Sequence, residues 1–252
     1  MTSVQQPPRT SSPRRPALER TTAMTLAAGE NARFLAVIRR LGREDWLAPT
    51  DCPAWNVRDL VGHVVGMAEL AASVPEQLRQ MRAAGKAGGL FIDALTALQV
   101  AKHAGRTSDD LVARYAVIGP KAATGRRRTP GFIRSRAIGQ PQYVGGVPET
   151  WTVGFLVDVI LTRDTWMHRI DVAQAAGQQL ELTPEHDGVL VADVVAEWAA
   201  RHGQPCTLRL TGPAGGSWSF GAGGPALSED AVTFCRGLSG RGAAALDTEV
   251  PF

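Results

Sequence analysis

Three residues of this 252-residue chain combine types and spacing suited to gripping a divalent cation. Asp164 and His168 lie four apart in Arg163-Asp164-Thr165-Trp166-Met167-His168-Arg169-Ile170-Asp171. On a helix they project from one face about a turn apart, where a carboxylate and an imidazole can share one ion. Asp171 falls on the same face, as a partner that would orient a ligand or substitute for one. His63 sits in Val57-Arg58-Asp59-Leu60-Val61-Gly62-His63-Val64-Val65, an apolar helical stretch where a ring with two polar nitrogens needs partners. If the two helices are antiparallel neighbours, His63 completes a His-Asp-His set. Three protein ligands with one open position is the usual form of a catalytic zinc site. Spacing alone leaves a blander reading open, in which Asp164 pairs with Arg163 or Arg169 at the surface and His63 is a satisfied core histidine.

Other reactive residue types carry less. Cys52 precedes the His63 helix, but no base is placed beside it by spacing, and it reads as a small buried residue. His103, His186 and His202 lack helical partners of ligand type and read as surface or cap residues. Arg126, Arg127 and Arg128 read as a solvated loop segment. Trp151 and Trp166 read as core packing. The glycine-rich run Gly212–Gly224 lacks Gly-Lys-Ser/Thr and is no phosphate-binding loop.

The elements that must position the trio follow from periodicity. Residues 1–17, rich in Pro, Ser, Thr and Arg, read as a disordered tail. Apolar spacing predicts a helix from about Glu19 to Leu41, then a loop from Gly42 to Trp55 holding Pro49 and Pro53. Asn56 is a good N-cap and Asp59 a favourable first-turn carboxylate for a helix that Pro75 kinks or divides on its way towards Gly85. Further helices are expected over Leu90–His103 and Ser108–Ala123, with a long surface loop over Gly125–Pro148. The Asp164 helix should span Thr150 to Ala176 and end at Gly177. Beyond it, Thr183 and Pro184 open a helix that ends near Gly203. Cys206–Leu210 and Ser217–Phe220 alternate as strands, and Ser228 opens a last helix that stops around Gly237–Gly240. The expected fold class is α+β: a helical bundle over 18–177, followed by a small α/β domain over 178–252.

Composition agrees with a globular enzyme-sized chain. Hydrophobic residues make up 44% and charged residues 20%, enough to bury a core without staples. The formal charge of +3 has a local source: Arg9, Arg14, Arg15 and Arg20 against Glu19 account for all of it. The rest is neutral, which argues against a nucleic-acid partner. No apolar run is long enough to span a membrane, and three scattered cysteines argue against a disulfide framework. Arg14–Arg15 lacks the apolar segment of an export signal, so a cytoplasmic location is expected.

The segment Asp51-Cys52-Pro53-Ala54-Trp55-Asn56-Val57-Arg58-Asp59-Leu60-Val61-Gly62-His63 closely resembles the Cys-Pro-Gly-Trp…Asp-Leu…His signature of DinB-like proteins. The Arg163–Asp171 helix resembles its counterpart in their mycothiol-dependent maleylpyruvate isomerase branch. The ending Ser239-Gly240-Arg241-Gly242…Val250-Pro251-Phe252 resembles that branch's C-terminal domain. The resemblance implies a four-helix bundle whose metal, usually zinc, is held by His63, Asp164 and His168, with Arg241 binding substrate. The chain departs from that pattern at Asp164, where a glutamate is expected; aspartate is one methylene shorter, so the helix must approach the ion more closely. The implied activity is a metal- and mycothiol-dependent isomerase or S-transferase on a small electrophile, in a monomer or homodimer. Two alternatives stand beside it: a non-catalytic small-molecule-binding or sensing bundle, and a metal-hydroxide hydrolase on the same ligands.

Overall fold

The computed structural model describes residues 12–252. Four long helices form the bundle: α1 (Arg20–Ile38), α2 (Val57–Ala72), α5 (Ser108–Arg128) and α8 (Leu161–Ala175). Between α2 and α5 the chain inserts α3 (Val74–Ala87) and α4 (Phe91–His103), which pack along α2. Ser73 separates α2 from α3, with Pro75 in the first turn of α3, so the expected division falls there. Helix α2 starts where expected. The Asn56 side chain accepts from Asp59 N at 3.0 Å, and Asp59 accepts in return from Asn56 N, a reciprocal cap that fixes the helix N-terminus just ahead of His63. Phe34, Leu60, Val61, Val64, Leu111, Tyr115 and Val172 fill the space between the four helices.

The expected loop over Gly125–Pro148 is mostly structured. Helix α5 continues to Arg128, a short α6 (Gly131–Arg134) follows, and β1 (Gln142–Val144) pairs antiparallel with β2 (Val147–Glu149). Arg126 is buried rather than solvated, and the reason lies across the bundle. After α7 (Val153–Phe155), residues Leu156–Ile160 form a π-helical turn leading into α8. Such a turn displaces backbone carbonyls from their usual partners. Arg126 Nε donates to the Val157 carbonyl at 2.6 Å and its Nη2 to Thr162 Oγ1. Burial lowers its pKa to about 10, so it stays charged.

Beyond Gly177, which takes the left-handed conformation expected at a helix end, a π turn (Pro184–Gly188) leads into α9 (Val189–His202). Three strands follow: β3 (Cys206–Thr211), β4 (Gly216–Phe220) and β5 (Ala226–Asp230), in the order β4-β3-β5. Cys206, Leu208 and Leu210 alternate inward along β3. Residues Ser228–Asp230, expected to open the last helix, belong instead to β5, parallel to β3. The cap is Asp230, whose Oδ1 accepts from Val232 N and Thr233 N; α10 (Ala231–Arg236) then runs into a final turn to Arg241. The carboxylate two residues later wins because it reaches two free amides at once. Trp166, Met167 and Ile170 of α8 share one core with α9, β3 and α10, so α8 is the wall common to the bundle and the C-terminal layer. Among the described residues, no helix is long and apolar enough to cross a membrane.

The expected tail over 1–17 is corrected in part. Residues 1–11 lie outside the described residues, but Arg14 is tied down: its backbone pairs with Thr150 and Thr152. Its guanidinium meets Glu149 and Glu197.

Candidate metal centre

Helices α2 and α8 bring His63, Asp164 and His168 together. Asp164 Oδ1 lies 3.7 Å from His63 Nε2 and 3.5 Å from His168 Nε2, and one ligand atom of each lies within 4.8 Å of the others. The two imidazoles meet edge to face with centroids 5.2 Å apart, and Trp55 packs over His63 at 5.2 Å. Both histidines are buried. Each spends its Nδ1 elsewhere, on Gln99 Oε1 at 2.8 Å for His63 and on Asp171 Oδ2 at 3.1 Å for His168. Both Nε2 atoms therefore converge on Asp164.

The surface salt-bridge reading fails on the arginines. Arg163 turns to Asp193 and Glu197, and Arg169 to Glu30 and Asp187. Arg163 thus reaches into α9, and Arg169 reaches α1 and the turn before α9, whereas Asp164 and His168 meet His63 of α2. Asp164 Oδ2 is left shielded from solvent with no hydrogen-bond partner, an expensive state for a carboxylate oxygen unless something positive belongs beside it. Burial raises the Asp164 pKa, but His168 and then His63 outweigh it and hold the carboxyl well below its ordinary range. Burial disfavours the charged ring of His168, yet Asp164 and Asp171 hold its pKa well above the usual value. Two imidazole nitrogens and a low-pKa carboxylate with one orphaned oxygen form a three-residue donor set that fits a divalent cation such as zinc.

Asp171 is fully enclosed and lies behind His168, as its position on the helix suggested. Arg241 grips both of its oxygens, through Nε at 2.8 Å and Nη2 at 2.7 Å, and Arg236 adds a third bond at 3.0 Å. Arg241 Nη2 also lies 3.8 Å from Cys52 Sγ, and its Nη1 donates to Ser239. Cys52 is half-buried beside His168 and Asp171.

Several participants were invisible to motif reading. Gln99 on α4, Gln80 on α3 and Arg236 on α10 carry no signature, although two glutamines on otherwise amphipathic helices are the sort of polar residue whose burial would be informative. His103 and His186 are corrected from surface to buried positions. His103 Nε2 lies 3.3 Å from Glu69 Oε2, and His186 Nε2 lies 2.8 Å from Glu30 Oε2. Their partners come from other helices, which spacing within one helix does not reveal. The Glu30–His186–Asp187 group already has the Arg169 guanidinium in its midst, so its negative charge is answered without an ion.

Residues 27–173, more than half of the chain, match the sequence profile described as the mycothiol maleylpyruvate isomerase N-terminal domain. The chain belongs to that family. The maleylpyruvate isomerase family is one of enzymes, and the match takes in α2, most of α8 and all three residues of the trio. An uncharacterised protein of Mycobacterium tuberculosis, found in strains CDC 1551 and H37Rv, is 25% identical over 214 residues, covering 79% of this chain and 77% of its own. Among solved structures, the crystal structure of the mycothiol-dependent maleylpyruvate isomerase superposes with a TM-score of 0.56 at 15% identity, over 90% of this chain and 91% of that one. A histidine-to-alanine mutant of that enzyme gives 0.55 over the same shares. The maleylpyruvate isomerase fold, a bundle followed by a small α/β layer, is thus shared along nearly the whole chain.

Proposed function

We propose that this chain is a metal- and thiol-dependent isomerase or S-transferase acting on a small electrophile, with mycothiol or a similar thiol as cosubstrate and zinc as the metal. The observation that carries the reading is the shielded, unpartnered Oδ2 of Asp164 beside two imidazole nitrogens whose opposite faces are already committed. His63, Asp164 and His168 would hold the ion, and aspartate would serve in place of the family's glutamate because its Oδ1 already lies 3.7 Å and 3.5 Å from the two imidazole nitrogens. When bound, the ion supplies Lewis-acid charge that favours the thiolate form of a thiol at neutral pH.

The protein's own groups do the rest. Asp171, clamped by Arg241 and Arg236, holds His168 in orientation. Trp55 shields the His63 ring from water. Arg241 is engaged by Asp171 through Nε and Nη2, so it would bind the anionic end of a substrate only by sharing its guanidinium with that carboxylate. For an isomerisation, the thiolate adds to a double bond conjugated to a carbonyl, the resulting single bond rotates, and the thiolate is expelled to leave the trans alkene. For an S-transfer, the adduct takes up a proton and is released. In this reading the bundle of residues 18–177 carries the metal, and the segment 178–252 contributes the arginines behind it, in a cytoplasmic protein.

The test is elemental analysis of protein purified without chelator or nickel, followed by a thiol-dependent conversion assay, each beside His168→Ala. Near-stoichiometric zinc and thiol-dependent turnover, both lost in the variant, are expected. Conversion that persists without thiol would favour a hydrolase, and zinc-free protein that binds electrophile without turnover would favour a binding module.

A further inference from the structure

His63 aims its two nitrogens at different neighbours, Nε2 at Asp164 and Nδ1 at Gln99 Oε1. An amide facing a neutral imidazole is ambiguous by itself, because each offers a donor and an acceptor and a flipped amide suits either ring tautomer. The ambiguity ends further along the chain of contacts. Gln99 Nε2 lies 2.9 Å from Gln80 Oε1, and Gln80 Nε2 faces the Gly66 carbonyl at 3.1 Å and Glu76 Oε1 at 2.8 Å.

A backbone carbonyl only accepts. Glu76 also only accepts, because the hydrogen bond from Arg79, with that from Lys102, holds its carboxyl well below the usual range against the effect of burial. Gln80 must therefore turn its NH₂ to these two oxygens and its own oxygen to Gln99. Gln99 must give its NH₂ to Gln80 and its oxygen to His63. His63 must then carry a proton on Nδ1, and when the ring is neutral its Nε2 lone pair faces Asp164. Reversing the chain would set oxygen against oxygen at Gly66 and Glu76, inside a region where both glutamines are fully buried.

The packing is built around this line. A Cβ on Gly66 would sit 2.6 Å from Cβ and Cγ of Gln99, so α2 carries glycine at the place where α4 brings the amide in. Two buried primary amides are costly to hold in a helix interface without every bond satisfied, and here each heteroatom of the line has its partner.

We infer that Gln99 and Gln80 are positioning residues: a two-amide relay, anchored at the Gly66 carbonyl and Glu76, that fixes His63 as the Nδ1–H tautomer and delivers its Nε2 lone pair to the Asp164–His168 pair. The purpose of the relay rests on the metal reading above, but its direction does not. Orienting a ligating imidazole through its other nitrogen is a general requirement of metal sites.

The experiment uses the full chain with ¹⁵N-labelled imidazoles, metal-free, at a pH where the His63 ring is neutral. Long-range ¹H–¹⁵N correlation reads the tautomer, and His63→Ala assigns the signal among only five histidines. The expected result is a proton on Nδ1; a proton on Nε2 overturns the relay. Zinc affinity is then measured by competition with a chelating dye. Gln99→Leu and Gln80→Leu should each weaken binding by about 10-fold or more, and Gln80→Leu is the sharper probe because it never touches His63. Wild-type affinity in both variants overturns the positioning role. Circular dichroism checks folding; should Gln99→Leu fail to fold, Gln80→Leu and the wild-type spectrum still decide. A wild-type chain that takes up no zinc refutes the metal reading, while the tautomer spectrum still tests the relay.

Discussion

The two histidines of the candidate metal centre are held by opposite kinds of chemistry. Behind His168 stands a buried carboxylate locked by two guanidiniums, Asp171 with Arg241 and Arg236. Behind His63 stand two neutral amides, and charge enters only at Glu76, beyond Gln80. Both arrangements orient a ring, but they differ electrostatically. A second carboxylate behind His63 would add negative charge close to Asp164 and Asp171, and the arginines that answer Asp171 come from the far side, on the C-terminal layer. An amide relay fixes the proton on His63 without adding charge, so the site's net charge is set from the α8 side alone. The difference teaches that the bundle contributes geometry on the α2 side and electrostatics on the α8 side.

The largest way to break this contrast is to remove each backing group and compare stability. Asp171→Ala leaves the largely buried Arg241 without its carboxylate and Arg236 with Asp51 alone, which should cost about 3–5 kcal/mol. Gln99→Leu leaves one imidazole N–H and one amide oxygen unpaired and should cost about 1–3 kcal/mol. In thermal melts each kcal/mol corresponds to roughly 2–4 °C for a chain of this size. Equal losses in the two variants would sink the distinction between an ionic and a neutral half.

Gly66→Ala comes next. The added methyl meets Gln99 at its rigid Cβ end, so the amide must withdraw or the helices part, at about 1–3 kcal/mol. Zinc affinity should fall with it, whereas an alanine at Gly85 of α3, where nothing lies within 4 Å, should leave the affinity unchanged and stabilise the helix by about 0.5–1 kcal/mol; chelator competition and melts on the pair check this. The α2 side also predicts a pH response of its own. Burial raises the pKa of Glu69, but hydrogen bonds from His103, Lys102 and Arg114 outweigh it and bring it to about 2. A lowered folded-state pKa means that Glu69 contributes stability fully above its unfolded value of 4.5 and loses it as the pH falls towards 2. Melts of wild type and Glu69→Gln between pH 6 and pH 3 should converge as the pH drops; parallel curves would remove Glu69 from the account.

How much of this was legible in the sequence follows from where the partners come from. The α2 start, the α8 face and the pairing of Asp164 with His168 were readable because caps and helical periodicity are local. The approach of His63 was readable only as a condition on how two helices pack, and the structure brings it within 3.7 Å of Asp164. The relay was not readable, since Gln80 and Gln99 lie 17 and 36 residues from His63 and nothing local marks a glutamine as buried. Arg126 was misread for the same reason: its burial is explained by a π turn 31 residues away. The β5 strand was missed because the exposed residues Ser228–Asp230 show no alternation, and their pairing is imposed by β3.

The smallest expected effect bears on the far end of the relay. Arg79 is half exposed and its ion pair with Glu76 lies on the surface of α3. Such a pair contributes under about 1 kcal/mol, so Arg79→Ala should leave the melting temperature nearly unchanged. It should also leave zinc affinity unchanged, because Lys102 still pairs with Glu76 at 2.7 Å and keeps it an acceptor. Glu76→Gln is the informative contrast. The new amide can offer Gln80 either a donor or an acceptor, so one of the two anchors loses its direction, while the Gly66 carbonyl keeps the other. A modest loss of zinc affinity, smaller than that of Gln80→Leu, is therefore expected. A loss as large as that of Gln80→Leu would place the whole directing force at Glu76 and make the α2 side ionic after all, only at longer range.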